Sequence, residues 1–79
     1  MSSFEEITIY FDELIEYQKK KLLQEGKRVL PHITSDDILQ PNDFPELENC
    51  PHFRYEEGIL GGIQMAKSAI LASIKEKVK

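Results

Sequence analysis

The sequence predicts an all-α fold: an antiparallel helical hairpin, with helices over about residues 3–25 and 54–77, that pairs with a second copy into a dimeric four-helix bundle. Three observations predict it. Apolar residues recur at spacings of three and four in two long segments. All four prolines, Pro31, Pro41, Pro45 and Pro51, fall between those segments. A single small domain of 79 residues buries too little surface on folding to be secure on its own core.

The first helix opens on Ser3-Phe4-Glu5-Glu6, a capping-box pattern in which a hydroxyl accepts from the third helical amide and a glutamate reaches back. Phe4, Ile7, Phe11, Leu14, Ile15 and Leu22 then share one helical face. Glu5 and Glu6 suit the positive end of the helix dipole, and Lys19, Lys20 and Lys21 suit the negative end. Gly26 stands where a C-terminal cap is expected. Glu13 and Glu16 lie on the outer side, where Glu16 is placed to pair with Lys20. Gln18 interrupts the stripe of Phe11, Ile15 and Leu22. A polar group on a buried seam fixes register or oligomeric state, whereas a stripe that rotates at this point leaves Gln18 at its edge. Tyr10 and Tyr17, one heptad apart on the flank, form either a partner-binding surface or the second edge of a core packed on two sides.

From Val29 to about Phe53 the periodicity fails, and the prolines forbid a long helix. Thr34-Ser35-Asp36-Asp37 reads as the cap of a one- or two-turn helix that Pro41 ends, and Asn42-Asp43-Phe44-Pro45 as the start of another short turn. A connection this long is rarely structureless in a compact domain. Leu30, Ile33, Ile38, Leu39, Phe44, Leu47 and Phe53 supply apolar anchors that fold it against the helices.

The second long helix starts near Arg54, with Glu56 and Glu57 in its first turn and Lys75, Lys77 and Lys79 at its end. It is divided lengthwise. Ile59, Leu60, Ile63, Ile70, Leu71 and Ile74 make a bulky side. Gly58, Gly61, Gly62, Ala66, Ala69 and Ser73, with Ser68 and Ala72, make a small side interrupted by Met65. Small residues admit a neighbouring backbone at short range, and bulky ones fill a core. A helix with two non-polar sides calls for two neighbours: the first helix, and a second copy of the chain. The glycines do not make a nucleotide loop, since they lack the dinucleotide and P-loop spacings and Glu56 and Glu57 repel an anion there.

Composition narrows the function. A net charge of −4 argues against general nucleic-acid binding. The local basic cluster of Lys19, Lys20 and Lys21 with Lys27 and Arg28 is spread too widely around the helix to form one stripe. No apolar run approaches the roughly 20 residues of a membrane span, and the acidic start is unlike a secretory signal, so the expected location is cytoplasmic. The lone Cys50 closes no disulfide within the chain.

No catalytic residue, cofactor or metal ligand is expected. His32, Asp36, Asp37, Asp43, Cys50 and His52 are competent ligand types, yet their spacing matches no chelating set. Cys50 and His52 lack an orienting third group, and the inward Glu-x-x-His motifs of a di-iron bundle are missing. The expected function is a small non-enzymatic protein–protein interaction or scaffolding module that self-associates, with Tyr10 and Tyr17 or the connection open to a protein partner. One alternative is a small-molecule or metal-binding protein that uses residues 29–53 through His32, Cys50 and His52. Another is an acidic regulatory or antitoxin-like subunit.

Overall fold

The computed structural model describes residues 3–77. These residues are helical with no strand, and none of their helices is long and apolar enough to cross a membrane. Helix α1 spans Ser3–Val29 and helix α3 spans Pro51–Lys77. Two 3₁₀ turns, Asp37–Leu39 and Pro41–Asp43, and a short helix α2, Pro45–Glu48, lie between them. Lys79, expected at the end of the second helix, lies outside the described residues.

Both long helices overrun the bounds expected from sequence. Helix α1 continues past residue 25 because Gly26 is not a cap: the chain stays helical through it, and the Leu30 amide bonds the Gly26 carbonyl at 2.8 Å. Packing accounts for this glycine instead. A Cβ there would lie 3.3 Å from Ile38 Cγ2 and 3.4 Å from Ile33 Cγ2. Helix α3 begins before Arg54, with Pro51 as its first residue, where a missing amide hydrogen costs nothing. Glu56 and Glu57 therefore sit in its second turn, and the first turn is without acidic residues. Arg54 bridges to Glu57 at 3.0 Å. Glu16 pairs with Lys19 at 3.8 Å rather than with Lys20, one residue farther on.

The connection is folded, as its apolar content demands. Thr34 and Asp37 form a reciprocal box: the Thr34 amide donates to Asp37 Oδ2 at 3.1 Å and the Asp37 amide to Thr34 Oγ1 at 3.3 Å. This starts the first 3₁₀ turn and turns Ile38 into the core. Pro41 and Pro45 each open the next element, as the N-terminal preference of proline requires. Leu39 is the exception among the expected anchors, being 56% exposed.

The core is confined to one end. Leu22, Ile33, Ile38, Leu47, Phe53 and Leu60 form it, with Ile15, Leu23, Val29, Leu30, Phe44 and Cys50 packed around them. Gln18 closes it on the side away from the connection. It is 4% exposed, and its Nε2 donates to the Glu56 carbonyl at 3.0 Å and to Glu56 Oε2 at 2.7 Å. The polar residue is thus on the seam, where it registers α1 against α3 within one chain.

Beyond Gln18, α1 and α3 continue side by side as an arm two helices wide. No residue described in 3–17 or 61–75 is buried. The fold is correspondingly long, 46 × 20 × 17 Å. Its radius of gyration is 15.2 Å, against about 12 Å for a compact domain of this length.

Candidate interaction surface

In the arm each helix has one neighbour, so each shows a half-buried strip and a wide exposed surface. Ile7, Phe11 and Ile15 of α1 and Ile63, Leu71 and Ile74 of α3 are the half-buried strip. Lys67 belongs to it as well, crossing from α3 to the carboxylate of Asp12 on α1.

The two sides of the α1–α3 pair differ in chemistry. One carries a shallow furrow of about 580 Å³ between the helices, lined by Asp12, Ile15, Glu16 and Lys19 of α1 and by Gln64, Lys67, Ser68 and Leu71 of α3. That side holds two ion pairs, Glu16 with Lys19 and Asp12 with Lys67. Helical periodicity places Tyr10, Leu14 and Tyr17 on the other side of α1, and Ile59, Gly62, Ala66, Ile70 and Ser73 on the matching side of α3. Tyr10 is 66% exposed, Tyr17 61%, Leu14 37% and Ile70 39%. The Lys21 ammonium lies over the Tyr17 ring, 5.6 Å from its centre.

These positions divide the small residues of α3. Gly62, Ala66 and Ser73 share a side with the tyrosines, Gly61 borders the furrow end of the helix, and Gly58 and Ala69 lie on the back. All six are exposed. A Cβ at Gly58, Gly61 or Gly62 would meet no atom within 4 Å. No close approach within the chain therefore explains these glycines, in contrast to Gly26.

Charge sets α3 apart from α1. Between Gly58 and Ile74 the only charged residue is Lys67, which is turned toward Asp12. A helix face that meets water ordinarily carries charge, as the outer face of α1 does with Glu6, Glu13 and Lys20. The inward turn of Lys67 was open to sequence reasoning, because it falls among Ile63, Leu71 and Ile74 on the bulky side.

The connection gathers no comparable chemistry. His32 and His52 are exposed, and Cys50 packs against the core. Among the described residues no three His, Cys, Asp or Glu side chains come close enough together to hold a metal ion. Leu30, Pro31, His32, Ile33, Asp37 and Phe44 line a hollow of about 240 Å³, and Ser35, Asp36, Ile38 and Leu39 line another of about 350 Å³ with Lys19 and Leu23 of α1, against the roughly 300 Å³ at which ligand pockets begin. Every buried side-chain nitrogen and oxygen among the described residues has a hydrogen-bond partner. Compared with protein-family models, curated proteins and solved structures, the chain matches none.

Proposed function

We propose that the chain is a non-enzymatic protein–protein interaction module that self-associates through its helices, with a homodimer as the working form. The observation that carries this reading is area. The protomer exposes 5838 Å² at a mass of 9.2 kDa, whereas a monomeric protein of that mass exposes about 4,900 Å². The surplus of about 900 Å² is close to the roughly 800 Å² that each partner gives up in a standard interface.

Two further features support the reading. The six-residue core occupies one end, leaving the arm without buried residues of its own. The exposed side of α3 carries no charge to hold it in water. Self-association covers the arm and leaves the folded connection, at the opposite end, free to meet another protein.

Sedimentation equilibrium from low micromolar concentration upward tests the proposal. A mass twice that of one chain is expected at the upper concentrations. A stably folded species of one chain's mass throughout would overturn it.

A further inference from the structure

We propose that the side of the hairpin bearing Tyr10, Leu14 and Tyr17 of α1 and Gly62, Ala66 and Ile70 of α3 is where a second copy of this chain docks, hairpin on hairpin, to give a two-layer four-helix bundle. This rests on the self-association reading and adds the face to it, excluding the furrow side.

The two sides compete for the role, and their chemistry decides. The furrow side is lined by Asp12, Glu16, Lys19 and Lys67, which already pair within the chain. Burying those pairs would strip their water at a cost that attraction alone seldom repays. The opposite side exposes two tyrosines, a leucine and an isoleucine. Tyrosine is enriched in interfaces because it brings a large apolar area with few rotatable bonds.

Charge also selects the occupant. In a two-fold interface the same patch is present on both partners, so residues near the axis meet their own copies. A patch of one sign repels its own copy; this one carries Lys21, one turn beyond Tyr17 and set over its ring, and is bordered at Tyr17 by Glu13 and Lys20 of the outer face. A patch two helices wide with one cation at its end is self-compatible, and the surplus of exposed area is close to one standard half-interface. Gly62, Ala66 and Ser73 along α3 let the facing helix come close, while Tyr10, Leu14 and Tyr17 along α1 supply bulk.

Thiol protection tests the face. In the full chain carrying Cys50→Ala, Ala66→Cys and Ser68→Cys place a single thiol on opposite sides of one helix, both exposed in the protomer. Maleimide labelling is measured below and above the association concentration. The thiol introduced by Ala66→Cys is expected to react about tenfold more slowly once the chain associates, since only the open fraction is attacked, and the thiol introduced by Ser68→Cys at an unchanged rate. In parallel, Leu14→Glu and Ile70→Glu are expected to halve the sedimenting mass with helicity retained, and Gln64→Glu to leave it unchanged. If either Glu variant unfolds, the labelling pair decides alone. Protection at position 68 and not at 66, in a chain that does associate, overturns the face and leaves self-association standing. A single-chain mass for the unsubstituted protein at every concentration overturns both.

Discussion

The same substitution at two helical glycines is expected to have opposite effects, and the difference isolates packing. Gly26→Ala and Gly58→Ala each replace a glycine inside a long helix, so each gains about 1 kcal/mol of helix propensity. At Gly58 the added methyl meets nothing within 4 Å, and stability should rise by about 1 kcal/mol. At Gly26 it meets Ile38 Cγ2 at 3.3 Å, Ile33 Cγ2 at 3.4 Å and Phe53 Cε2 at 3.6 Å. All three neighbours are buried core side chains with little room to withdraw. Overpacking a site of this kind costs about 1–3 kcal/mol, which offsets or exceeds the propensity gain. Propensity cancels between the two variants, so Gly58→Ala should be the more stable by about 1–3 kcal/mol. For a domain of this size each kcal/mol moves the melting temperature by about 4–8 °C. Urea and thermal unfolding, followed by circular dichroism at a concentration too low for association, measure the gap. Equal midpoints, or a more stable Gly26→Ala, would refute the claim that Gly26 is favoured by the core and Gly58 is not.

Four more substitutions have expected outcomes. Gln18→Ala should cost about 1–3 kcal/mol, since it removes both donors to Glu56 and leaves a partly buried carboxylate without one. Gln18→Glu should cost more at neutral pH by setting two carboxylates together, and its deficit should shrink as pH falls through the carboxylate range, because a like-charged pair holds a proton more tightly when folded than when unfolded; urea midpoints across pH check both variants. Gly62→Leu should leave the isolated protomer folded, because the site opens on solvent, while weakening association by crowding the helix that comes close there; sedimentation with and without the substitution separates the two effects. Asp12→Asn should cost less than about 1 kcal/mol, and less still at high salt, because its pair with Lys67 is only partly shielded; melting at two salt concentrations measures it.

Much of the fold is legible in the sequence because period and punctuation agree. The three-and-four spacing marks α1 and α3, and Pro41 and Pro45 open two of the three short elements between them, since proline can open an element but not continue one. What sequence misplaces has a local physical reason. Gly26 has the residue type and position of a cap, and only the folded connection, bringing Ile33 and Ile38 against it, shows the close packing that favours a glycine there. Pro51 starts α3 rather than preceding it, because Cys50 and His52 give no sign of which side of the boundary they occupy. Gln18 is legible as a polar interruption of a stripe, but its partner is Glu56, distant in sequence, and no periodicity points to a contact between helices. The two-sided character of α3 is readable from Gly58 to Ile74. Which side faces a partner is not, because the furrow exists only once Asp12 and Glu16 are set beside Gln64 and Lys67.

Small-angle X-ray scattering of the unsubstituted chain at a concentration that favours association tests the central claim most directly, since it reads mass and shape together. Stacking two hairpins on their apolar sides doubles the mass and adds a second layer about 10 Å away. The long dimension stays near the 46 Å of one hairpin. A folded particle of one chain's mass, with a radius of gyration near 15.2 Å at every concentration, would contradict the account.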